Sequence, residues 1–209
     1  MKKTDGLFIL FIVVVLVLLI NPLTHHAFFG FTDRYVLLGG FIKFFLFATI
    51  GDVISHRIKR GNYRLPGLFK KAVLWGILGV FIVMIFTIFF TGTKTLQTQR
   101  ILPFEGILFF TALFTSVLMN LFFAPTMMFL HRLGDQIIDD RLAGIKSFGV
   151  SLKNINYHAF LHMLFKTIPL FWIPAHTITF LLPQTYRAFY ASLLGIMLGL
   201  LLNMFKKHA

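Results

Sequence analysis

The chain is predicted to be an all-α, polytopic bundle of about six transmembrane helices, and three observations carry that expectation. Hydrophobic residues make up 57% of its 209 residues and charged residues only 13%, against about 25% charged in a soluble domain. The mean hydropathy is +0.83, and the apolar residues fall in runs near the ~20 residues that an α-helix needs to cross a bilayer. The basic residues sit almost entirely between those runs, where they act as topology signals.

Taken in order, the first expected span covers residues 6–24, with an unbroken apolar core over 7–20 preceded by Lys2 and Lys3. Asn21, Pro22, His25 and His26 follow it instead of a small-x-small cleavage site, so it reads as an uncleaved anchor. With its outer loop it forms an N-terminal unit, residues 1–34. Residues 35–209 form the helical membrane domain. Its spans are expected over 35–54, carrying Lys43 and Asp52, and over 72–90, without charge. The fourth, 107–130, holds Asn120 and Pro125. The fifth lies between Lys166 and Arg187, broken by Pro169, Pro174 and Pro183, and the sixth covers 188–205. Between the fourth and fifth, Ile137, Leu142, Ile145 and Phe148 recur at roughly helical spacing, which suggests a helix lying on the membrane surface. Gly51-Asp52 and Gly134-Asp135 each follow an apolar run, and a helix stop at Gly with an Asp cap, or an internal repeat, accounts for both.

Loop charge orients the chain. Fourteen Lys and Arg fall on the side of the two termini and only four in the alternate loops, so both termini are expected in the cytoplasm. The same placement turns the net charge of +13 away from nucleic acid and toward the lipid bilayer as partner. With no cysteine, disulfides, thiolate metal sites and Cys nucleophiles are excluded. Seven acids in the whole chain argue against a carboxylate-rich metal centre. No nucleophile triad, phosphate loop or dinucleotide fingerprint can be assembled, so neither an enzyme nor a cofactor is expected.

A few residues stand out. Lys43 lies within an apolar run, where an ammonium costs roughly 2.5–3.5 kcal/mol on insertion scales. It either faces a polar interior or snorkels to the surface. Asn120 needs partners on another helix, as interhelical glue or as pore lining. His176 follows the proline-rich stretch, which is either a plain kink or a broken helix of the kind that lines cavities. His158 and His162, with Lys166 a turn further on, form a polar stripe leading to the interface. Ala191, Gly195 and Gly199 repeat at every fourth position, the spacing of close helix packing, within the chain or against a second copy as a homo-oligomer.

Several of these motifs resemble the Mpv-seventeen and peroxisomal membrane protein family. Gly51-Asp52-Val53-Ile54-Ser55 is similar to its Gly-Asp-x-Ile-Ser signature, and Asn120 to Pro125 to its Gln-x-x-Phe-Ala-Pro stretch, with Ala124 and Pro125 retained. Trp172, Pro174 and Phe180 resemble its Trp-Pro…Asn-Phe segment, and Pro183, Tyr186 and Arg187 its Pro-x-x-Tyr-Arg. The matches run in order over about 38–205. The chain departs at Gly79-Val80…Ile85-Phe86 and at Met119-Asn120, where the family carries Gly-Pro…Trp-Tyr and Asp-Gln. The resemblance implies a small polytopic protein linked to channel-like permeability in metabolite or redox homeostasis. The topology signals point to a bacterial cytoplasmic membrane. The expected function is a pore or small-solute and anion permeability protein with a polar interior from Lys43, Asn120 and His176. The alternative is a non-conducting structural or accessory protein that acts through helix packing or partner binding.

Overall fold

The computed structural model describes residues 3–206, and their side chains from 4 to 197. Among the described residues the chain is all helical, without strands. Helix α1 (Lys3–Ile20) leads into α2 (Pro22–Arg34). Then come α3 (Val36–Arg60), α4 (Leu68–Thr98), α5 (Leu108–Phe122) and α6 (Ala124–Leu142). A short α7 (Phe148–Lys153), α8 (Tyr157–Leu181) and α9 (Gln184–Lys206) complete the chain.

Three helices, α3, α4 and α8, are each long and apolar enough to cross a membrane, and five spans result if each of two bent pairs counts as one. The sixth expected span, 188–205, runs along α9, whose side chains beyond Met197 lie outside those described. The first expected span ends early. Pro22 at the first position of α2, with Asn21 Oδ1 accepting from the Leu23 amide at 3.0 Å, starts a new helix at 80° to α1. At the other end of α1, Arg57 makes two hydrogen bonds to Asp5, and Phe8 stacks on Tyr63.

Both glycine–aspartate pairs correct a sequence expectation. Neither Gly51 nor Gly134 ends a helix; both lie inside one, α3 and α6. Each is a point of close approach instead. A Cβ on Gly51 would sit 2.8 Å from Ile196 of α9, and one on Gly134 would run into Leu74 of α4. The fourth span likewise does not stop near Leu130. It bends by 50° at Phe123 and continues as α6 to Leu142, absorbing much of the expected surface helix. The fifth span starts earlier than expected, at Tyr157; Pro169 and Pro174 do not break it, and Pro183 lies just past its end at Leu181. A π-helical turn over Ile168–Trp172 takes up Pro169 and leads into Pro174 near the start of the next α-helical stretch, so α8 stays one helix of 25 residues. A second π turn, Phe44–Ala48, directly follows Lys43 in α3.

Helix α4 is the spine. Its 31 residues span about 46 Å, longer than a hydrocarbon core of about 30 Å. Its inward stripe runs Ala72, Gly76, Gly79, Val83, Phe86, Phe90, Thr93 and Gln97, alternating three and four residues as in a helix seam. Where that stripe is small, helices touch: a Cβ on Gly79 would meet the Gly40 carbonyl oxygen at 2.5 Å, and one on Gly76 would enter the Phe41 ring. Toward the α4–α5 turn the stripe is polar. Gln97, 2% exposed, accepts from the Thr111 hydroxyl at 2.7 Å and donates to the carbonyls of Pro103 and Phe104, which holds the turn.

The outer faces are apolar, with Leu7, Phe69, Ile88, Phe122, Phe165 and Leu170 all exposed. The interior holds small hydroxyl residues beside the apolar core of Phe180, Met119 and Leu194. That distribution suits a lipid-embedded bundle, in which packing and interhelical hydrogen bonds replace hydrophobic exclusion from water.

The glycine contacts predict a sharp contrast. Gly79→Leu is expected to lower the melting temperature of the detergent-purified protein strongly, because overpacking costs about 1–3 kcal/mol or more. Gly195→Ala, whose Cβ meets no atom within 4 Å, should leave it nearly unchanged. Thermal unfolding of the two variants checks this.

Candidate functional site: two cavities stacked along the bundle

Among the described residues, three polar clusters bear on the cavities of the bundle. The first surrounds Lys43, which is 3% exposed. Its Nζ donates to the Thr185 carbonyl at 3.3 Å, lies 4.0 Å from Asp33 Oδ1, and sits 5.2 Å from the centre of the Phe29 ring. Thr185 joins the two charges, since its hydroxyl donates to Asp33 Oδ2 at 2.5 Å. Asp33 is at the end of α2, Lys43 in α3 and Thr185 in the first turn of α9, so three helices meet on one ammonium. This group borders a cavity of about 300 Å³ lined also by Phe86, Phe90 and Arg187.

Arg187 shapes that cavity from the α8–α9 turn. Pro183 has no amide hydrogen, and the last carbonyls of α8 lack intrahelical donors. Arg187 supplies them: Nε donates to the Leu182 carbonyl at 3.0 Å and Nη2 to the Phe180 carbonyl at 3.1 Å. Its guanidinium also lies 4.0 Å from the centre of the Phe90 ring on α4, a cation–π contact. The residue therefore ties α8, α9 and α4 together. The neighbouring motif residue Tyr186 contacts His25 Nε2 through its hydroxyl at 3.2 Å.

The second group is Asn120, His176 and Ser116. Asn120 is fully buried and its amide donates to the Ser116 carbonyl at 2.8 Å. Its side chain lies 3.1–3.2 Å from His176 Nδ1. The Ser116 hydroxyl donates to the Ile173 carbonyl at 2.7 Å, just past the π turn of α8. His176 borders a second, apolar cavity of about 60 Å³, whose walls include Trp75, Phe86, Met119, Trp172 and Gly195. The indole nitrogen of Trp172 is buried there without a hydrogen-bond partner among the described residues.

Phe86 is shared by the linings of both cavities and is 6% exposed. Lys43 thus stands apart from Asn120 and His176: the structure brings the last two together and puts the first in the other cavity. The small-residue stripe of α9 is also divided. Ala191 is buried in the core and Gly195 faces the apolar cavity without close approach to another helix, while the surroundings of Gly199 lie outside the described residues.

The third group lies at the far end of the apolar cavity. Trp75 Nε1 donates to Asp52 Oδ2 at 2.7 Å, and its ring is 4.0 Å from that of His131. His131 Nε2 is 3.8 Å from Asp135. Lys71, 7% exposed, lies 3.7 Å from Asp135 and 2.9 Å from Asp139. This network of α3, α4 and α6 is invisible to a span-by-span reading. The one signal in the sequence was Asp135 and Asp139 four residues apart on one helix face. His158, His162 and Lys166 are exposed on α8 and join none of these groups.

Replacing Arg187 tests its part in this frame. Arg187→Ala is expected to reduce folded yield in membranes, and Arg187→Lys to restore it only in part, because a single ammonium cannot reproduce the fork between two carbonyls. Size-exclusion chromatography of the solubilised variants reads the difference. No family model matches the chain, and no curated protein or solved structure shows significant similarity to it.

Proposed function

We propose that the protein is a membrane pore or permeability protein for small solutes, favouring anions, held here in a closed state. The observation that carries this reading is the pair of cavities along α4 whose linings share one buried aromatic ring, Phe86. Three charged residues line the larger cavity, Lys43, Arg187 and Asp33, which leaves it one positive charge in excess. A net positive, partly polar entrance favours anions over cations. Beyond Phe86 the apolar cavity leads to Trp75, whose indole is tied to Asp52, so a second aromatic closes the other end. Opening needs both rings to turn.

The motif likeness to the Mpv-seventeen family supports the same reading, because its residues gather on this axis. Asp52 holds Trp75, Trp172 and Ala124 line the apolar cavity, and Arg187 lines the larger one. Membership in that family, a cell-membrane location and the absence of enzymatic chemistry belong to the proposal. So does a topology with both termini in the cytoplasm, which puts the larger cavity toward the outside.

The non-conducting alternative has its own support. Lys43 and Asn120 each donate to a backbone carbonyl, of Thr185 and Ser116, as expected of polar groups that only fasten helices together.

Two measurements bear on the proposal. The chain has no cysteine, so single replacements report cleanly. Gln99 in the α4–α5 turn and Asn62 in the α3–α4 turn are exposed, unlike Thr93 and Gln97. An impermeant thiol reagent applied to intact cells should label Gln99→Cys and spare Asn62→Cys; the opposite pattern reverses the topology. In reconstituted liposomes the wild type should pass small anions above the empty-vesicle leak. Phe86→Ala should raise that flux about tenfold or more, the scale of removing a barrier of about 1.4 kcal/mol, and Lys43→Met should shift selectivity toward cations. No flux from either the wild type or Phe86→Ala would leave the fastening role as the reading.

A further inference from the structure

We infer that the cavity of about 300 Å³ between α3, α4 and α9 is a recognition site for a small monocarboxylate with an apolar body. The inference deepens the pore reading by naming the solute class, and it rests on that reading only for passage, not for binding.

Charge sets the valence. Lys43, Arg187 and Asp33 line one cavity, so one added negative charge brings the site to neutrality. A dianion would leave a net negative charge beside Asp33, and a cation would raise the positive excess, both unfavourable. Hydrogen bonding sets the head group. Of the five donors on a guanidinium, Arg187 uses one at Nε and one at Nη2. Its Nη1 edge makes no hydrogen bond among the described residues. Lys43 commits one of its three donors, to the Thr185 carbonyl, and its carboxylate neighbour is at ion-pair rather than hydrogen-bond distance, 4.0 Å. An incoming carboxylate can accept from both cations.

The walls set the rest of the molecule. Val36, Val83, Phe86 and Phe90 line the same cavity. They give nothing to a bare inorganic anion, which loses its hydration on entry, but they bury an aliphatic or aromatic body. At this volume the body is a few carbons or one ring, at the low end of small-molecule sites. Phe86 is then both the floor of the site and the barrier to the inner cavity.

The full-length protein in detergent, followed by thermal unfolding during titration, tests this with sodium butyrate, benzoate, succinate, n-butylamine and chloride. Butyrate and benzoate should raise the melting temperature saturably, while succinate, n-butylamine and chloride should not. Asp33→Asn keeps an acceptor for the Thr185 hydroxyl and removes one negative charge. It should tighten butyrate about tenfold and admit succinate. Lys43→Met should abolish the butyrate shift; should that variant fail to fold, Asp33→Asn decides alone. No saturable shift with either acid, an equal shift with n-butylamine, or no change in Asp33→Asn would overturn the inference. Octanoate binding tighter than butyrate by roughly fourfold per methylene would also overturn it, since it marks partition of the tail into apolar surroundings rather than recognition in a cavity of about 300 Å³. Butyrate binding without liposome flux would uphold the site and remove the pore reading. Anion flux without butyrate or benzoate binding would do the reverse.

Discussion

Between α3 and α4 the backbone of Gly40 lies against that of Gly79, with no side chain in between. In lipid the helices gain little from hiding apolar surface, because the solvent is as apolar as they are, so they associate where backbones can come close. That contact fixes the rotation of both helices about their axes. Lys43 lies three residues past Gly40, and Val83, Phe86 and Phe90 lie four, seven and eleven past Gly79, so all of them face the same seam. The seam then opens as its side chains enlarge, and the larger cavity is the space left where small residues give way to aromatic ones.

The second recurring device is the π turn. One follows Lys43 and one ends four residues before His176. Each adds a residue to a turn, shifting the faces of the helix beyond it. In α8 the turn also accommodates two prolines that would otherwise kink it, and it leaves the Ile173 carbonyl where the Ser116 hydroxyl of α5 can reach it. The interior polar groups are therefore reached by irregular backbone held inside protein, the one setting in which a membrane tolerates it.

Charges at the two ends are handled differently. Near the larger cavity, cations exceed acids and are shared among carbonyls, a carboxylate and two aromatic faces. At the far end, Asp135 and Asp139 pair with Lys71, Asp135 also lies beside His131, and Asp52 accepts from the indole of Trp75.

Much was legible in the sequence by itself: helices rather than strands, an apolar exterior suited to lipid, and Lys43 as an exceptional residue. These follow from period, composition and the cost of charge in an apolar run, all of which are local. The partners were not legible. Arg187 takes the carbonyls of Phe180 and Leu182, Asn120 takes His176, and Asp52 takes Trp75. Gly51 and Gly134 looked like helix stops because Gly-Asp after an apolar run also fits a cap, and only a neighbouring helix shows that they are contacts. Which faces meet depends on rotation and depth, and one π turn changes both by a residue. Tertiary packing alone decided that, because no local pattern records how far each helix has turned.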